Sequence, residues 1–274
     1  MTPDRIREVA LDAFWRLPEN RKSHWQALTC LPQRSPLVGV PFFDLDILQL
    51  DWLHIMDLGV TQQFLGSTFK ILCSKLPGAS LEAQCRELHV RMKYFYRVNE
   101  TASKLDVLKP TMLQAAGKPY PKLRAKAGEA RALVLFSLEL TRDLLSNEDV
   151  FEHTLKLCAK VLNETYAQLS HDVFHPPTFS SKAREFALLY VALADHAQAQ
   201  EKCLFHITGK FYLFMEMASF MNSGNPSDVW TYRDESFGGE ISSLARRRGG
   251  SSNPHAVGMS FFHRFMANNN VPSL

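Results

Sequence analysis

Apolar positions recur along most of the chain at the three-and-four spacing of an amphipathic helix, and proline and glycine cut the pattern into segments. Ile6, Val9, Ala10, Ala13, Phe14 and Leu17 share one face of a helix over 4–17, which Pro18 stops. Residues 29–45 hold Pro32, Pro36, Gly39 and Pro41 and read as an extended connection with room for one short strand at 37–43. A long helix is expected over about 55–75, ending at LPGAS, and Ser80 then opens another through about Tyr96. A weaker helix over 99–113 is interrupted by Pro110, and AGKPYPK breaks the chain.

Residues 124–145 carry Leu133, Phe136, Leu140 and Leu144 on one stripe. SNED at 146–149 has the form of a capping box with Ser146 as cap, ahead of a helix showing Val150, Leu155, Cys158, Val161, Leu162 and Leu169. HPPTFSS reads as a break, with Ser180 or Ser181 opening a helix that carries Phe186, Leu189, Tyr190 and Leu193. KCLFHITGKFYLFMEMASFM is dense in aromatics and methionine, which is core material, and His206 is the one member that invites a test. NSGNPSD is a loop, and Asn253 followed by Pro254 suits the start of a closing helix. No fixed-period repeat is present, which argues against a solenoid.

Composition adds little. With 274 residues, 46% hydrophobic and 22% charged, the chain is ordinary globular material, and a net charge of +3 is too small to indicate nucleic acid or a membrane. No apolar run reaches the roughly 18–20 residues that cross a bilayer, and the charged start lacks a signal-peptide core, so the expected location is nuclear or cytoplasmic, not secreted. Five cysteines without a CxxC pair read as reduced thiols packed as small hydrophobes.

Candidate chemistry begins in DILQLDWLHIMDLGVTQQFLG, where Asp51, His54 and Asp57 sit three residues apart in an apolar run. On a helix such positions share a face, so they form either a polar seam, an Asp cap that orients His54, or a site that holds something. YRDESFGGE gathers Asp234, Glu235 and Glu240, suited either to a helix N-terminus or to oxygen ligation of a divalent ion. SSLARRRGG places Arg246, Arg247 and Arg248 at a helix end; with Lys210, Arg264 and the run Lys118, Lys122, Arg124 and Lys126 they could join a phosphate-contacting surface. No phosphate-binding glycine loop, nucleophile elbow or HExxH motif occurs, and nothing supports a Ser, Cys or Thr nucleophile.

Together these residues resemble pieces of a eukaryotic cut-and-paste transposase with the RNase H-like DDE fold, nearest to the CACTA-like group and the transposon-derived proteins abundant in dinoflagellates. In that class a Cys or Asp, two residues and a His lie downstream of the second catalytic aspartate. DWLHIMDLGVTQQFLG is similar to that string, with Asp51 and His54 in its two places. KPYPKLRAKAGEARAL and HITGKFYLFMEMA resemble parts of the helical insertion that follows, and YRDESFGGEISSLARRRGG resembles the helix bearing the third acidic residue. The resemblance spans roughly residues 37–265. It implies Glu235, with Asp234 as second choice, as the catalytic carboxylate and ligand of Mg²⁺ or Mn²⁺. It implies Asp51, His54 and Asp57 as a structural motif beside the site, and Arg246, Arg247, Arg248 and Lys210 as contacts to DNA phosphates.

The chain also departs from that class. About 50 residues precede Asp51, and they read as helix and proline-rich connection rather than as strands bearing two aspartates. Asp44 and Asp46 are the acidic residues close by, and neither follows a convincing strand. Two metal ions need about three carboxylates to align water and leaving oxygen. The expectation is therefore a transposase-derived remnant, an incomplete DNA transposase or nuclease that is inert alone, binding no metal as it stands and no small-molecule cofactor. Its expected fold is mostly α: a multi-helix bundle, the helical insertion domain at 46–222, flanked by remnants of an RNase H-like α/β fold. The flanks are an N-terminal helix and connection at 1–45 and an acidic-motif helix with a closing helix at 223–274.

Two other readings remain open. A helical protein-interaction module would bind another chain and show no salt-sensitive affinity for DNA. A stand-alone metal hydrolase would need Asp51, His54, Asp57 and Glu235 to converge.

Overall fold

A computed structural model describes residues 49–219 and 224–233, together with positions 235, 236, 238, 239, 242, 258 and 263. The expected helix over 4–17, the connection and strand over 29–45, Asp44, Asp46, Cys30, Asp234, Glu240, Arg246, Arg247, Arg248, Arg264 and the Asn253–Pro254 cap lie outside the described residues. The chain divides into one unit through Val229 and a second from Trp230 onward. The described part of the first unit is helical, with no strand among its described residues.

A π-helical segment, Leu53–Val60, runs without a break into helix α1, Thr61–Cys73. Then come α2, Leu81–Val98; the single turn α3, Pro110–Leu113; α4, Ala127–Leu144; α5, Val150–Ala167; α6, Pro176–Ala199; and α7, Gly209–Ser219. Consecutive helices α4, α5, α6 and α7 pack each on the next, and the π segment packs on both α4 and α7. Helix α1 continues along α4 and also meets α2 and α3.

The rod over 52–73 is therefore the centre of the bundle. Ten of the thirteen residues of α1 are buried, as are Leu53, Ile55, Met56, Asp57, Gly59 and Val60 of the π segment. A helix apolar nearly all round belongs in a core, and here aromatic rings supply the shell. Trp52, fully buried, meets Tyr166 of α5 at 5.2 Å, Phe179 of α6 at 5.9 Å and Phe214 of α7 at 6.3 Å between ring centroids. Phe64 meets Phe186 and Phe205, and Phe69 meets Phe136. The aromatic and methionine stretch around 203–219 is core, as its composition indicates, with Phe205, Phe211 and Phe214 buried.

Side-chain caps mark the starts of α2 and α5. Ser80 Oγ accepts from Ala83 N–H at 3.2 Å, as its place before an apolar run suggests. In SNED the cap of α5 is Asp149 rather than Ser146: Asp149 accepts from Glu152 N–H, and Glu152 reaches back to Ser146 N–H. The Lys75 ammonium, and next the Ser146 N–H, hold the Glu152 carboxyl below its ordinary range. Val150, expected on the apolar stripe, is exposed because it sits at the first position of α5.

Two expectations yield to the structure. Helix α6 begins at Pro176, not at Ser180 or Ser181, because its two prolines occupy the first-turn positions where a missing N–H costs nothing. Residues 99–109 are not helical. Leu105 N–H donates to Tyr96 Oη, and Leu105 O meets the His89 ring, so α2 holds this stretch along its flank.

A second extended stretch, 121–125, lies against α1 through Leu123 N–H to Gln62 O at 2.9 Å and Gln62 Nε2 to Ala125 O at 2.6 Å. Gly66 makes room for it: a Cβ there would meet Lys122 Cα at 2.6 Å and the Lys122 and Leu123 nitrogens at 2.7 Å. Backbone cannot swing aside as a side chain can. Gly66→Ala should therefore cost about 1–2 kcal/mol, the usual overpacking penalty less the helix-propensity gain of alanine. Urea denaturation with an unchanged m-value checks this.

Candidate functional site

Several polar residues of the central rod fasten parts of the shell to it. Asp51 stands just before the rod, where its carboxylate accepts from Leu53 N–H at 3.3 Å and His54 N–H at 3.1 Å and also takes the His54 Nδ1 contact. It is a cap that orients an imidazole, one of the alternatives its spacing allows. His54 points outward and is about half exposed.

Asp57 points the other way. A π register has more residues per turn, so Asp57, three residues after His54, turns further from the row of His54 than in an α-helix. Asp57 is fully buried and its Oδ1 accepts from Tyr166 Oη at 2.5 Å, while Tyr166 Oη and Thr61 Oγ1 are 2.7 Å apart. One helical turn on, Gln62 binds the 121–125 stretch as above, and Ser67 Oγ accepts from Phe205 N–H at 2.9 Å. Phe205 has φ of 51°, a left-handed conformation unusual for a bulky residue, and this buried hydrogen bond helps hold it.

The outward row of the π segment is fastened by two lysines. Lys210 Nζ donates to His54 O at 2.6 Å and Leu58 O at 3.4 Å, and Lys122 Nζ donates to Leu58 O at 3.1 Å. Gly59 lets the Lys210 stem cross, since a Cβ there would lie 2.5 Å from Lys210 Cδ. Burial pushes both ammonium groups below their ordinary range; the Lys210 charge adds to that for Lys122, while Asp51 pulls Lys210 back up. Beside them Tyr120 stacks on His206 at 4.2 Å, and burial lowers the His206 imidazole. Lys122 also borders a shallow groove of about 590 Å³ with Gln62, Asp106, Arg124, Lys126 and Glu129.

Of the residues singled out from sequence, Asp51, His54 and Lys210 thus lie together, with Asp57 inward of them. Glu235 is exposed in the second unit, its N–H donating to Thr231 O at 2.8 Å. Among the described residues no three His, Cys, Asp or Glu side chains gather as ligands for a metal ion. Within the first unit the donors do not fit a two-metal site, because Asp57 faces Tyr166 in the core and Asp51 faces the amides of the rod. No helix among the described residues is long and apolar enough to cross a membrane.

Tyr166, Trp52, Gln62 and Ser67 were not singled out from sequence, though all but Tyr166 lie in the rod. Their signal is a helix apolar on nearly every side with isolated polar residues, the pattern of a buried helix whose polar groups draw partners from other elements. Comparison with protein-family models, curated proteins and solved structures returns no match.

Proposed function

We propose that the chain is a transposase-derived helical domain in which DWLHIMD serves as architecture, and that it does not cut DNA by itself. On this reading the segments flanking the helical domain descend from an RNase H-like α/β fold, with Glu235 the descendant of the third acidic residue. The observation that supports the architectural role is the engagement of the motif with its own fold: Asp51 turns its carboxylate to the start of the central rod and Asp57 accepts from Tyr166. A carboxylate that must align a metal ion needs lone pairs facing the ion. Lys210 likewise braces backbone carbonyls, so any phosphate contact would use a group already tied to the rod.

The test is a strand-cleavage assay with Mg²⁺ or Mn²⁺ on duplex and nicked DNA, run beside DNA binding at two salt concentrations. No metal-dependent cleavage is expected. Cleavage that disappears in Glu235→Ala overturns the proposal.

A further inference from the structure

Helix α2 buries Cys85, Leu88, Met92, Phe95 and Tyr96 and presents its opposite face to solvent. On that face Val90, Tyr94 and Val98 recur at i, i+4 and i+8 and are 61%, 68% and 65% exposed. Single exposed apolar residues are ordinary on protein surfaces. A row of three, two of them β-branched residues that are poor helix formers, is not accounted for by helix stability.

Directly beside that row, at helical angles within about 40° of one another, lie Arg86, Lys93 and Arg97, all exposed and in no ion pair among the described residues. The nearby acid Glu87 is already paired with Arg91 at 3.1 Å, and Glu82 lies one turn before Arg86 at the start of the face. The result is an apolar ridge flanked by a basic ridge over roughly 18 Å of helix.

We propose that this face docks an acidic amphipathic helix of another protein, with leucine-like side chains over Val90, Tyr94 and Val98 and carboxylates along Arg86, Lys93 and Arg97. Charge complementarity selects this occupant. A second copy meeting it through the same face brings another basic ridge and no carboxylate row to meet the first. Nucleic acid satisfies the cations but leaves three apolar side chains with nothing to cover them. Tyr94, an amphipathic aromatic at the middle of the ridge, is the expected anchor.

The experiment titrates the full chain with a fluorescent helical peptide of about 15 residues, carrying leucine at i, i+4, i+8 and glutamate on the adjacent row. Its partners are a scrambled peptide, a lysine-for-glutamate peptide and a short DNA duplex. The acidic peptide should bind, weaken as salt rises, and lose about tenfold or more in affinity with Tyr94→Ala. The triple variant Arg86→Glu, Lys93→Glu, Arg97→Glu should lose it and gain the lysine peptide. All six residues are exposed, and an unchanged melting temperature shows that each variant folds. Three results each overturn the proposal: equal binding of acidic and scrambled peptides, duplex binding that depends on these residues without peptide binding, or self-association abolished by Tyr94→Ala.

Discussion

Trp52→Ala should lower the unfolding free energy by about 3–5 kcal/mol, the range for deleting a large aromatic from a packed core. For a chain of this size that corresponds to a fall of roughly 10 °C or more in melting temperature. The size of the effect follows from position. Trp52 begins the central rod and touches rings on three successive shell helices, so no one neighbour can move in to fill the space without leaving the other two. Trp52→Phe separates packing from polarity. The indole Nε1 is buried with no hydrogen-bond partner among the described residues, so phenylalanine removes an unsatisfied donor while giving up part of the ring. The phenylalanine variant should therefore lose much less, on the order of 1 kcal/mol. Thermal unfolding of the three proteins under one set of conditions provides the comparison.

Tyr166→Phe is the second large effect. The hydroxyl is the donor that reaches fully buried Asp57, 109 residues away in sequence, and it also lies against Thr61. Removing it leaves a carboxyl in the core with one partner fewer and a threonine hydroxyl to find another. A hydrogen bond to such a group contributes about 1.5–3 kcal/mol, and the loss should fall in that range although only one oxygen is deleted. Denaturant titration reads it directly. A surface tyrosine treated in the same way, Tyr94→Phe on α2, should change stability by less than about 0.5 kcal/mol.

Much of this architecture is legible in the amino-acid pattern. The helices at 81–98, 127–144 and 150–167 fall where apolar spacing and Ser80 or the SNED turn put them. Pattern reading misplaced the start of α6 because it treats two prolines as a break, whereas their missing N–H groups suit a first turn. It also gave residues 99–109 to a helix, because the hydrogen bonds that hold them extended come from Tyr96 and His89 on another element.

The candidate site was half visible. The spacing of Asp51 and His54 leaves a seam, a cap and a binding site open, and the structure forms the cap. The inward turn of Asp57 was hidden, because a face drawn with 3.6 residues per turn does not describe a π segment. Its partner Tyr166 is set by how α5 packs, which local spacing does not encode. Gly66 and Gly59 look alike in sequence, yet one admits a backbone and the other a lysine stem.

The polar residues of the DWLHIMD stretch act as fasteners of a buried rod, and a double-mutant cycle on Asp57→Leu and Tyr166→Phe addresses that most directly. The two partners should be coupled by about 1–3 kcal/mol, with the double variant more stable than the sum of the single losses predicts, because removing both leaves neither half of the Asp57–Tyr166 bond unmet. Single losses that simply add, or a Tyr166→Phe protein as stable as the parent, would contradict it.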